Sequence, residues 1–70
     1  MQRISVHSSN IASIGYGDCQ TLEIEFSSGT IYQCANVPYC VYDALMTAKS
    51  HGKYFSQYVK DAGYYYTQIR

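Results

Sequence analysis

The chain has no tryptophan and a single proline, Pro38, and only 14% of its residues are charged. Five basic side chains balance five acidic ones, so the net charge is zero. That argues against a strongly basic nucleic-acid-binding domain. The three cysteines, Cys19, Cys34 and Cys40, form no CxxC pair, and an odd number does not make a disulfide scaffold. His7 and His51 are isolated, so no spacing reads as a metal site, and no cofactor is expected. No hydrophobic run reaches the length of a transmembrane helix, and the first residues contain no apolar core of a signal peptide. These features read as a soluble, cytosolic protein with free thiols and no membrane contact. Seventy residues make one domain, 1–70, and a core of that size supplies only a few kcal/mol of net stability. A hydrophobic fraction of 47% excludes a disordered chain.

What the chain does have is tyrosine. Nine of its residues are tyrosine, and five of them fall between Tyr54 and Tyr66. A tyrosine ring packs against a core while its hydroxyl faces water or a partner. So many rings exceed the needs of one small core. The charge is also divided. Residues 1–48 set Arg3 against Asp18, Glu23, Glu25 and Asp43, a net of −3, whereas residues 49–70 set Lys49, Lys53, Lys60 and Arg70 against Asp61, a net of +3. The tyrosine-rich half is therefore the cationic half. Rings beside lysines are what stacking on nucleic-acid bases requires.

Thr21–Phe26 alternates polar and apolar residues without a fault, the pattern of a half-buried strand with Leu22, Ile24 and Phe26 inward and Glu23 and Glu25 outward. Ser27-Ser28-Gly29 is a turn, and Thr30–Cys34 is a β-branched, aromatic strand, so the two form a hairpin. Ile11–Tyr16 adds a third strand through the turn formers Gly17-Asp18-Cys19-Gln20, giving a three-stranded antiparallel meander; Ile4-Ser5-Val6 either adds a short edge strand or only runs along the edge. Asn36 reads as an N-cap and Pro38 as the first turn of a helix over about residues 39–48, with Val41, Leu45 and Ala48 as its apolar stripe. Ser50-His51-Gly52 reads as a break. A second short helix then covers residues 53–60, stopped by Gly63 and followed by an extended tail or edge strand. The fold class is α+β.

Four segments in this order resemble a known family: Ser8-Ser9-Asn10-Ile11-Ala12-Ser13-Ile14-Gly15-Tyr16, Gln20–Phe26, Tyr32-Gln33 with Asn36-Val37-Pro38, and His51-Gly52-Lys53-Tyr54-Phe55. The chain resembles the KTSC domain, which occurs at the C-terminus of some lysyl-tRNA synthetases and as a single-domain bacterial or phage protein. The resemblance implies a fold more firmly than an activity. The activity it brings is RNA binding, a role not established for the family. Two departures stand out. The family's Tyr-x-Tyr motif reads Tyr32-Gln33-Cys34 here, which removes one ring of a two-ring platform. The tail is also less basic, with Ser56, Gln57 and Tyr58 in the second helix and Asp61 after Lys60. Both weigh against tight, charge-driven binding.

Catalytic material is thin. Glu23 and Glu25 share a face of one strand, but the wet face of a sheet has the same pattern. Nothing in the sequence lowers a thiol pKa, so no cysteine nucleophile is expected. The expectation is a non-enzyme that binds RNA or single-stranded nucleic acid through Lys53, Tyr54, Tyr58, Lys60, Tyr64, Tyr66 and Arg70, with Tyr32 contributing from the sheet. Tyr16, Tyr32, Tyr39 and Tyr42 are expected to be mainly structural, Tyr32 beneath the first helix. Two other classes fit the composition: a protein-interaction module or homodimer, in whose interfaces tyrosine is enriched, and a phage-type binder of a small ligand such as a nucleotide.

Overall fold

The computed structural model describes residues 2–70. Thr21–Phe26 (β3) and Ile31–Cys34 (β4) form the expected hairpin, and Ile11–Gly17 (β2) pairs on the other side of β3. Gly29 takes a left-handed φ of 96° in the turn, a conformation open to glycine at no steric cost. Three strands are not the whole sheet. Arg3–Ser5 (β1) pairs with β2, and Tyr66–Gln68 (β5) pairs with β4, giving five antiparallel strands in the order β1-β2-β3-β4-β5. The expected meander is thus the inner part of a sheet whose two outermost strands have three residues each, too short to show an alternation in sequence. The β2–β3 connection is a 3₁₀ turn, Asp18–Gln20, in which Cys19 and Gln20 both have positive φ.

Both helices lie in the crossover from β4 to β5. Tyr39–Thr47 is α1, as the stripe predicts, with Leu45 fully buried. Its cap is Pro38; Asn36 sits in the left-handed region at φ 59° and turns the chain out of β4 instead of capping the helix. The second helix starts earlier than expected. His51–Phe55 (α2) includes the residues that read as a break, because the Ser50 hydroxyl accepts from the Lys53 backbone N–H and caps the turn. His51 Nδ1 donates to the Leu45 carbonyl at 2.8 Å, so this side chain satisfies an open carbonyl of α1 while starting α2. A π-helical turn, Ser56–Lys60, continues the segment. Among the described residues, no helix is long and apolar enough to cross a membrane.

The sheet's two faces differ. On the helix side, Ile11, Ile14, Leu22 and Ile24 join Val37, Leu45 and Val59 in a fully buried core. The other side has no helix over it, yet Glu23 on that side is only 4% exposed. It is no part of a wet face. Arg3 Nη1 donates to its Oε2, and Gln33 Nε2 donates to its Oε1 at 2.8 Å. Arg3 Nε also donates to the Ser13 hydroxyl at 3.0 Å, which in turn donates to Glu25 Oε1 at 2.7 Å. Gly15 makes this possible: a Cβ there would meet Arg3 Cγ and the Gln2 carbonyl at 2.9 Å each. At the opposite edge, Arg70 approaches Glu25 at 3.9 Å, with buried Ile31 between them in the same row. The first and last described strands are thus both tied to carboxylates of the central strand.

Burial alone would raise the Glu23 pKa, but the hydrogen bonds from Gln33 and Arg3 and the Arg3 charge outweigh it, and the net direction is down from 4.5. A carboxyl whose folded pKa is depressed adds stability above its unfolded value and loses it as pH falls through the folded value. Two outcomes are expected. Stability measured by urea denaturation declines as pH drops below about 4.5, and Glu23→Gln flattens that decline while lowering stability at neutral pH; an unchanged pH profile in Glu23→Gln would remove Glu23 as its source. Gly15→Val costs on the order of 1–3 kcal/mol by forcing Arg3 and its backbone away from β2, whereas a wild-type urea midpoint would show that β1 does not need that close approach.

Candidate nucleic-acid interface

The second helix has to choose which pair of rings to bury. Phe55 and Val59 are four residues apart and pack into the core, 7% and 1% exposed. That choice turns Tyr54 and Tyr58 away. Their rings lie against one another, centroids 4.6 Å apart, with Tyr54 half-buried and Tyr58 53% exposed. A phenyl ring buries without a polar tip to satisfy, which is why the phenylalanine goes down and the tyrosines go out.

Beneath Phe55 and Val59 the sheet presents Phe26, Tyr32 and Cys34, which all project to the helix side. The helices do not close over this end, and a cleft of about 130 Å³ remains. Tyr66, brought by β5 to a position across from Cys34, forms its outer wall. The Tyr32 and Tyr66 rings meet edge to face at 5.5 Å, and Phe26 meets Tyr32 and Phe55 in the same way at 5.8 and 5.6 Å. Lys60, from the π turn, lines the cleft and forms no ion pair among the described residues. Tyr32 therefore lies under the second helix and its π turn, not under α1 as expected. The reason is the diagonal split of the helix layer: α1 packs toward Tyr16, and the second helix packs toward Phe26.

A shallower groove of about 460 Å³ continues from the cleft and shares Phe26 and Tyr32 with it. Its remaining lining is uncharged and hydrogen-bonding: Ser9, Asn10, Ser28, Thr30 and Ser56 among others, with Gly52 at the base. The Asn10 amide lies where a Cβ on Gly52 would come within 3.4 Å. All four segments that carry the family resemblance thus meet here, through Ser9-Asn10, Phe26, Tyr32 and Gly52.

The candidate residues separate into three places. Tyr32, Lys60 and Tyr66 come together around the cleft. Tyr54 and Tyr58 form the contacting pair on the outer side of α2, their rings tilted by 33°, with exposed Lys53 on the same short helix, and Tyr64 is half-buried against the core. Arg70 leaves the group altogether: the backbone N–H groups of Ile69 and Arg70 both point at the Ile31 carbonyl, an irregularity that breaks the strand's alternation, and the guanidinium lies on the opposite face of the sheet beside Glu25. Sequence reasoning missed Phe26, Phe55 and Cys34 as lining residues. The signal existed for two of them: period-2 alternation puts Phe26 on the inward face of β3 and Cys34 on the Tyr32 face of β4.

A second aromatic cluster lies at the other end of the helix layer. Tyr16 stacks on Tyr42 at 4.9 Å and meets Tyr39 edge-on at 5.7 Å, and its hydroxyl donates to the Val37 carbonyl at 2.6 Å. That hydrogen bond makes Tyr16 structural, as expected, but Tyr39 is 61% exposed. As for chemistry, burial pushes the Cys34 thiol up to about 11, so it stays protonated at neutral pH. Glu23 and Glu25 are engaged by Arg3, Gln33 and Ser13. Among the described residues, no cluster of three or more His, Cys, Asp or Glu side chains is placed to hold a metal ion.

Comparison with known proteins agrees with this architecture. The KTSC domain model matches residues 7–65. An uncharacterised protein from Stutzerimonas stutzeri is 43% identical over 70 residues, covering 99% of each chain. A KTSC domain protein from Yersinia pestis, known from a crystal structure, superposes with a TM-score of 0.90 at 38% identity, over 99% of this chain and 97% of that one. A lysine–tRNA ligase from a Nostoc species is 46% identical over 41 residues, which are 59% of this chain but only 7% of that enzyme. On the match of the family model and of a full-length relative, this chain belongs to the KTSC domain family.

Proposed function

We propose that this domain is a non-catalytic module that binds single-stranded nucleic acid, RNA in particular, in the cytosol. The observation that carries this reading is the ring-walled cleft of Tyr32 and Tyr66 with an unpaired lysine, Lys60, at its margin. A base inserted there stacks on rings while the adjoining phosphate meets the ammonium. The uncharged groove beside it offers hydroxyls and an amide to sugar and base edges. Tyr54, Tyr58 and Lys53 extend the surface along the outside of α2. The presence of a similar segment within a lysine–tRNA ligase, an enzyme named for a tRNA substrate, supports the same reading. With few lysines and zero net charge, the affinity is modest and salt-sensitive. The non-catalytic part of the proposal rests on the protonated Cys34 thiol and the committed carboxylates of Glu23 and Glu25.

A cleft of about 130 Å³ is small beside the roughly 300–1,000 Å³ of dedicated small-molecule sites, so it takes up a single base with its sugar and phosphate outside and does not enclose a whole ligand. A protein partner or a second copy is the other reading, favoured by the two open sheet edges and by exposed Ile4, Tyr65 and Ile69.

Fluorescence anisotropy with labelled oligouridylate and oligodeoxythymidylate tests the proposal. Binding is expected at low salt and is expected to weaken as salt is raised. Tyr66→Ala should cost about 1–3 kcal/mol of affinity. Lys60→Gln should reduce the slope of log K against log salt by about 0.7. No interaction with either oligonucleotide at low salt would sink the nucleic-acid reading, and concentration-dependent self-association would then favour the alternative.

A further inference from the structure

The cleft is ring-sized because of what stands on its floor. Its most buried lining residues are Val59 from the helix and Cys34 from the sheet, 1% and 2% exposed, and Cys34 is the smallest side chain around it. Phe26, Tyr32 and Tyr66 stand beside it on the same face of neighbouring strands. The space directly over β4 is therefore left open by one short side chain and framed by large ones.

We propose that Cys34 is the specificity-determining residue of this cleft: it leaves a slot for one flat heteroaromatic ring, whose anionic substituent is met by Lys60. This deepens the nucleic-acid reading above and rests on it for the identity of the ring as a base. The size fits, since an apolar cavity of about 150 Å³ takes up a benzene ring and the cleft measures about 130 Å³. The surroundings fit as well. Tyr32 and Tyr66 are set at 77°, and Phe26 and Phe55 at 75°, so an entering ring finds both edges and faces to pack against. A neutral thiol behaves as a small hydrophobe and puts no charge beneath the ring. Lys60 is the charged residue lining the cleft, so a ring bearing a phosphate is complementary where a ring bearing a cation is not.

The slot is tested by NMR titration of the isotope-labelled full chain with adenosine monophosphate, using ribose 5-phosphate as the ringless control. The expected result is saturable shifts at the amides of Tyr32, Cys34, Lys60 and Tyr66 with the nucleotide and none of comparable size with the control. Cys34→Leu fills the slot and weakens nucleotide binding by about tenfold or more, while Cys34→Ala retains it within a few-fold. Tyr66→Ala, at a residue 51% exposed, removes a wall without touching the core and is expected to lose binding comparably, which keeps the test decisive if Cys34→Leu folds poorly. The inference is overturned if the wild type shows no such shifts, if ribose 5-phosphate reproduces them, if they map to Tyr54 and Tyr58, or if Cys34→Leu binds like the wild type. The two readings fail differently. An oligonucleotide bound equally by wild type and Cys34→Leu keeps the nucleic-acid function and removes the slot. Nucleotide binding in the cleft with no oligonucleotide affinity keeps the slot and removes the function.

Discussion

The central strand β3 alternates apolar side chains and carboxylates, and both faces of the molecule are organised around that alternation. Leu22 and Ile24 lie at the bottom of the core, with Phe26 at its margin. Glu23 and Glu25 face the side that no helix covers, where a carboxylate out of water is costly unless it is paired and hydrogen-bonded. Arg3 from β1 and Gln33 from β4 meet that need at Glu23, and Arg70 reaches Glu25 from beyond β5. The two contributions are unequal. Arg3 lies partly buried across Gly15, whereas the Arg70 contact is exposed and of the kind worth about 0–1 kcal/mol. A single face of helices is thus enough for a sheet of five strands, because the other face is closed by side chains.

The helix layer covers the opposite face unevenly, and the candidate surface arises where the cover stops. Phe55 and Val59 hold the second helix down by their apolar rows, which leaves Tyr54 and Tyr58 outside and the cleft open below. In a domain of this size, every ring that is not needed in the core is presented to solvent. The nine tyrosines resolve into Tyr16, Tyr39 and Tyr42 clustered at α1, the Tyr54 and Tyr58 pair outside α2, Tyr32 and Tyr66 framing the cleft, and Tyr64 half-buried and Tyr65 exposed just before β5.

The inner sheet was legible because Thr21–Phe26 is long enough for its period to be read. The outer strands are legible only as one of two alternatives, an edge strand or an extended segment, because three residues give too little alternation and their pairing is set by contacts far along the chain. The start of the second helix was misjudged at Gly52, where a cap from Ser50 and the His51–Leu45 hydrogen bond override the low helix propensity of glycine. Regular alternation places Arg70 on the face of Tyr66, four residues before it, but the two consecutive N–H groups of Ile69 and Arg70 that meet the Ile31 carbonyl break that period, and no sequence pattern signals such a break. The pairing of Tyr32 with Tyr66 is not signalled either. It joins residues far apart in sequence across a strand pair that the pattern alone does not reveal.

The charge separation between the two halves of the sequence persists in altered form in the fold. Arg3 and Arg70 are spent on β3, and the lysines of the second helix remain unpaired among the described residues, so the cationic character lies beside the rings. That juxtaposition is the basis for the proposal that a nucleic-acid strand binds this surface. The most direct test is photo-crosslinking of a 4-thiouridine-substituted RNA to the intact domain, with the attachment sites mapped by mass spectrometry. The account predicts crosslinks at Tyr32, Tyr66 and Lys60. Crosslinks confined to the Glu23 and Glu25 face, or to the Tyr16, Tyr39 and Tyr42 cluster, would contradict it.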